Sequence, residues 1–200
     1  IRPYPDREQI DERIGAIKAE ILAWVDPIDA FFLQIQGSGR VTFEDGSQIL
    51  LNYADKNGRA YKGLAQELKD VIKESRISKS VLVSYLRSLD PEALKKTLAK
   101  NPSYVFFVVG KRPAVTSSGI SAIAGRTIAS DAAYFPKGSL AYLSLKSRAN
   151  IVMDRLVFDH DVGGAIKGTG RIDLFWGTGQ SAGELAGEIS NVGKILYLIP

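Results

Sequence analysis

Six glycines fall among the nineteen residues from Asp161 to Gly179, in the run Asp161-Val162-Gly163-Gly164-Ala165-Ile166-Lys167-Gly168-Thr169-Gly170-Arg171-Ile172-Asp173-Leu174-Phe175-Trp176-Gly177-Thr178-Gly179. Each glycine costs backbone entropy on folding unless a positive φ or a close backbone approach requires it. The run therefore excludes a helix and calls for tight turns. It has neither the spacing of a phosphate loop nor that of a dinucleotide fingerprint. Short strand patterns surround it at residues 104–109, 126–129, 140–145, 155–159, 172–176 and 194–199. One helix interrupts them, with Ser181 and Glu184 at capping-box spacing and an end near Ile189. Many short strands with glycine-rich turns predict a small barrel.

The first half reads differently. A short polar helix is expected over residues 6–16, with Pro5 near its start. Residues 30–36 form an apolar run that reads as a strand, stopped by Gly37-Ser38-Gly39. Residues 40–44 and 48–53 flank Asp45-Gly46, a hairpin signal. Residues 55–58 make a second turn. Helical spacing follows at 64–73, 78–89 and 91–98, the last with Asp90 as cap and Pro91 in the first turn. A buried strand is expected at 104–109. Lys111-Arg112-Pro113 marks the boundary between domains expected at 1–110 and 111–200.

Composition narrows the chemistry. The 200 residues contain no cysteine, which removes disulfides, thiol nucleophiles and cysteine metal sites. A single histidine, His160, cannot build a multi-histidine metal centre. The net charge of +4 is scattered rather than blocked, so no nucleic-acid partner is expected. No apolar run approaches the ~20 residues of a membrane helix, so no membrane insertion by this chain is expected either. The N-terminus carries no signal-peptide pattern. Catalysis must come from carboxylates, hydroxyls, amides and cations.

Asp173 is the sharpest candidate. It lies in an apolar, aromatic strand pattern, where burial would raise a carboxyl's proton affinity and suit it to general-acid cleavage of a glycosidic bond. A solvated aspartate, or one paired with Arg171, is the structural alternative. Asp131 and Asp161 fit turn or cap roles equally well. His160 as a base is a weaker reading. Asp159, Asp161 and Glu44 offer oxygen ligands but lack EF-hand spacing, so no metal and no cofactor are expected. Gln34, Gln36, Ser38, Tyr53 and Asn57 mix hydrogen-bonding groups with aromatic surface, a combination that suits sugar rings or ordinary hairpin packing.

Three segments together resemble the membrane-bound lytic murein transglycosylase A family: residues 29–40 with Gln36-Gly37-Ser38-Gly39, then Tyr53-Ala54-Asp55-Lys56-Asn57-Gly58, then Asn101-Pro102-Ser103-Tyr104. The C-terminal part resembles that family's three-aspartate (3D) domain, matched at Asp131, Asp161 and Asp173. The resemblance implies a mainly β fold with helices. Residues 1–110 would be an inserted, mostly β substrate-groove domain, and residues 111–200 the catalytic portion of a double-psi β-barrel. It implies non-hydrolytic cleavage of the β-1,4 bond between N-acetylmuramic acid and N-acetylglucosamine, leaving 1,6-anhydromuramoyl ends by exotransglycosylase action. Asp173 would be the acid/base, Asp161 and Asp131 its supports. Gln36, Gly37, Ser38, Gly39, Tyr53, Asn57, Lys167 and Trp176 would meet the substrate. Peptidoglycan glycan strands and cell-wall enzyme complexes are the implied partners, in the periplasm at the outer membrane. Family members carry a segment before the Pro3-Tyr4-Pro5-Asp6 stretch, so the barrel is expected to be incomplete here. A hydrolase on the same barrel, with Asp161 or Asp131 activating water, and a glycan-binding module without turnover are the competing readings.

Overall fold

The computed structural model describes residues 4–17, 19–74, 77–146, 152–188 and 192–198. The chain is mainly β with helices and divides into two compact units, residues 1–113 and 114–200.

The first unit combines a three-stranded antiparallel sheet with a helical cluster. Helix α1 (Arg7–Glu12) starts at a capping box in which Asp6 and Gln9 satisfy each other's backbone N–H groups. A 3-10 turn (Ile14–Ala16) follows it. Residues 30–36, expected as a strand, belong to helix α2 (Pro27–Gln36). The Asp26 carboxylate accepts from the N–H groups of Ile28 and Asp29, Pro27 occupies the first turn, and Gly37 at φ 76° closes the far end. Strands β1 (Ser38–Thr42) and β2 (Gln48–Lys56) form the expected hairpin around Asp45-Gly46. Strand β3 (Val105–Gly110) pairs with β2 across an irregularity at Tyr53/Asp55. It is not the buried strand expected, since Val108 and Val109 are 50% and 58% exposed.

Between β2 and β3 lie α3 (Leu64–Glu67), α4 (Lys79–Arg87) and α5 (Pro91–Ala99). The first is a single turn rather than the ten residues expected. The other two match, with Ser78 and Asp90 as caps. Phe31, Leu64, Leu68, Leu82, Leu86 and Leu98 form the core that fixes these helices, each contributing roughly 1.5–3 kcal/mol by burial.

The second unit is a five-stranded sheet in the order β7-β4-β6-β5-β8, formed by β4 (Thr127–Ala129), β5 (Ser139–Lys146), β6 (Val152–Asp161), β7 (Asp173–Leu174) and β8 (Gly193–Leu198). All pairs are antiparallel except β4 with β6. No closed barrel is seen among the described residues; β7 and β8 are the two edges. One face carries the core of Ile128, Ala141, Leu143, Met153 and Val157. On the opposite face Tyr142 sits between Leu156 and Leu196, an apolar row that remains exposed. Helix α6 (Gln180–Glu188) begins one residue before Ser181, so Ser181 is a helical residue and not the cap. The Glu184 side chain and Ile189 lie outside the described residues.

Candidate active site

Topology gathers the three aspartates. Strands β4 and β6 run parallel, so their C-terminal ends share one end of the sheet. Asp131 follows the end of β4 and Asp161 ends β6. Strand β7 runs antiparallel to β4 and places Asp173 opposite Ala129 at that same end.

Each carboxylate has different partners. Asp131 is buried, 9% exposed, and accepts from the N–H of Ala133 at 3.1 Å and of Gly168 at 2.9 Å. Those backbone donors, with Lys167 and Lys137 adding positive potential, hold its carboxyl below the usual carboxylate range. It thereby clamps the glycine loop at Gly168, whose φ of 79° belongs to the left-handed region. Asp161 accepts from the N–H of Ser117 at 2.8 Å, while its own carbonyl accepts from the N–H of Ser130. Asp173 is gripped at both oxygens by Arg171, at 3.0 Å each, with its side chain 49% exposed. The burial expected of Asp173 is therefore absent, because a two-residue edge strand leaves it open to solvent. Arg171 also donates to the carbonyl of Ala165, bracing the loop from its other side.

A buried polar cluster that sequence reasoning missed stands behind these residues. The Asp159 carboxylate, fully buried, accepts from Lys137 Nζ at 2.6 Å, Ser130 Oγ at 2.6 Å and the Tyr197 hydroxyl at 2.5 Å. Burial first, and then the bond to Asp159, pushes the Tyr197 phenol well above its ordinary value. It stays protonated and donates. Asp159 was legible only as a possible oxygen ligand, because a register shift at the β4/β6 pairing breaks the alternation around His160. His160 itself is buried, bonded through Nε2 to Thr127 Oγ1 at 2.8 Å, and ring-stacked near Phe158. It braces β4 rather than facing a reactant.

The other expected substrate residues are scattered over two roles. Gln36 ends α2, Gly37 caps it, and Ser38 and Gly39 open β1. A Cβ on Gly39 would come within 2.3 Å of Leu33 Cδ1, so packing explains that glycine. Asn57 is buried and spent on the chain itself, donating to the carbonyls of Pro5 and Pro102 and accepting from the N–H groups of Tyr104 and Arg59. It has little left for a ligand. Tyr53 is 48% exposed on β2, and Lys167 is exposed on the glycine loop. Trp176 packs against the core of its unit.

Comparison with known proteins places this arrangement. The sequence signature described as the MltA specific insert domain matches residues 1–108, and that of the 3D domain matches residues 126–199. The chain belongs to the MltA family. It is 32% identical over 213 residues to membrane-bound lytic murein transglycosylase A of Escherichia coli K12, covering 98% of this chain and 58% of that protein. It superimposes with a TM-score of 0.90 and 29% identity on a membrane-bound lytic murein transglycosylase from Agrobacterium tumefaciens, over 100% of this chain and 58% of that one. Against E. coli MltA with bound chitohexaose the TM-score is 0.84 at 28% identity, over 98% and 60% of the two chains. The chain thus spans somewhat over half the length of these MltA relatives. Among its described residues no helix is long and apolar enough to cross a membrane.

Proposed function

We propose that this chain is the insert and 3D portion of a peptidoglycan lytic transglycosylase, with Asp173 as its single acid and base. Asp173 protonates the glycosidic oxygen as the bond from the muramic acid C1 breaks. The C6 hydroxyl of the same sugar then bonds to C1 and returns its proton to the Asp173 carboxylate. Atoms balance without water, and one carboxylate suffices because the nucleophile is tethered to the reacting sugar. Arg171 takes one acceptor position on each Asp173 oxygen at rest, which leaves the half-exposed carboxyl a further position from which the glycosidic oxygen can be met. The observation that carries this reading is a half-exposed Asp173 at the same sheet end as Asp131 and Asp161, on the strand that follows a loop clamped by Asp131.

The double-psi barrel belongs to the same proposal. A cavity of about 820 Å³ is lined by Leu143, Leu145, Ile172, Leu174, Trp176 and Ile195, with Asp173 also on its wall. These apolar residues share the wall with Thr169, Arg171 and Lys194, and further strands of a barrel would cover the apolar part. The substrate would be murein glycan strands, and the working place the periplasm at the outer membrane. E. coli MltA, crystallised with chitohexaose, supports glycan binding by this fold.

Mass spectrometry of the soluble products from purified peptidoglycan tests the reading. The parent should release muropeptides one water lighter than hydrolytic products, and Asp173→Asn should lower that rate by about 10²–10⁴-fold. Reducing ends would make the protein a hydrolase. Binding without products, unchanged in Asp173→Asn, would make it a glycan-binding module.

A further inference from the structure

Four side chains of the second unit form a closed network that the acid/base chemistry does not use. Lys137 Nζ spends its donors on Asp159 Oδ1 at 2.6 Å, Ser130 Oγ at 2.5 Å and the Ser130 carbonyl at 3.1 Å. Asp159 Oδ2 takes the hydroxyls of Ser130 and Tyr197. The Tyr197 ring stacks on Phe135 with centroids 4.8 Å apart. Ser130 is therefore held through both its side chain and its backbone, at zero exposure.

The next residue is Asp131. Its carbonyl accepts from the N–H groups of Tyr134 and Phe135, its carboxylate accepts from the Gly168 N–H, and Gly168 lies five residues before Asp173. A continuous path of bonds thus runs from the Lys137–Asp159 ion pair to the loop that precedes the candidate acid. Neither member of the pair has a hydrogen bond to that loop among those described. Burying two charges costs several kcal/mol per ion before pairing repays it, and an apolar pair of similar volume often folds as well or better. Stability alone does not account for this cluster. We propose that Lys137 and Asp159 are positioning residues, which fix the Ser130-Asp131 turn and through it the conformation of the loop before Asp173. The proposal rests on the acid/base reading for its catalytic meaning, but its structural content stands by itself.

The double variant Lys137→Met/Asp159→Leu removes both charges while filling the space. In the full chain, amide exchange at Gly168 and Ala133 should speed by about tenfold or more, the value of a charge-assisted hydrogen bond, while the unfolding midpoint falls less than in Lys137→Met alone, because only the Ser130 and Tyr197 hydroxyls lose an acceptor. Unchanged Gly168 protection in that folded variant would overturn the proposal. Should the double variant fail to fold, Tyr197→Phe removes one donor to Asp159 and leaves the ring stack. It should speed Gly168 exchange by about two- to fivefold, the effect of one weaker bond, and no change would be equally decisive. Where turnover is measurable, kcat should fall with KM little altered. A parent without turnover would sink the acid/base reading and leave the exchange result to judge the positioning.

Discussion

The most deeply buried charged side chain described in each unit, Arg7 in the first and Asp159 in the second, is satisfied in an opposite way. In the first unit Arg7 is 4% exposed and donates to the carbonyls of Asn101 and Ser103 and to the Gln34 amide oxygen. Its guanidinium lies over the rings of Phe31 and Tyr104 at 4.9 and 5.2 Å. Burial lowers its proton affinity, while Asp11 opposes that shift from a distance. Arginine suits such a place because its planar fork is weakly hydrated and remains charged. In the second unit Asp159 carries its own counter-ion in Lys137. A buried cation can thus be held by neutral oxygens and aromatic faces, as a cross-link between α1, α2 and the turn before β3. The buried carboxylate is held by a cation and two hydroxyls from separate elements, so its network is also a set of positional constraints.

The contrast predicts unequal damage. Lys137→Met leaves Asp159 buried without its cation and should cost about 3–5 kcal/mol, read as a lowered denaturation midpoint. Arg7→Met removes a charged fork but leaves only carbonyls unpartnered. It should cost about 2–3 kcal/mol by the same measurement, and a loss as large as that of Lys137→Met would erase the distinction between the two sites. The smallest effect concerns acid. Asp131 has a lowered carboxyl proton affinity in the folded chain, so its contribution is complete above the unfolded value of about 3.9. It fades as pH falls through the lower folded value. The stability gap between the parent and Asp131→Asn should be open at neutral pH and close as pH falls through the lowered folded value of Asp131.

What the sequence revealed depended on how local the cause was. Caps and turns were legible: Asp90-Pro91 announced α5, and Asp45-Gly46 announced the hairpin. Asp26-Pro27 carries the same signal as Asp90-Pro91 and starts α2, although the apolar run that follows it reads as a strand. The lesson is that a capped start and a Gly37 stop outrank an apolar run without alternation. The three aspartates could be picked out by resemblance. Their gathering at one sheet end could not, because it depends on the parallel pairing of β4 with β6 across thirty residues. Lys137 was invisible for a related reason. A lone lysine between Pro136 and Gly138 looks like a surface turn residue until Asp159 is brought beneath it.

The placement of β4 also has a kinetic side. This three-residue strand, buried throughout, pairs with neither neighbour in sequence and waits for β6 and β7 on its two sides. The β5–β6 hairpin builds a template first, since its contacts are nearer along the chain than those of β4. Closing the longer loops that seat β4 is entropically later work. The sheet end that gathers the three carboxylates is therefore expected to assemble only after the β5–β6 hairpin, so that a chain holding that hairpin alone does not display them together.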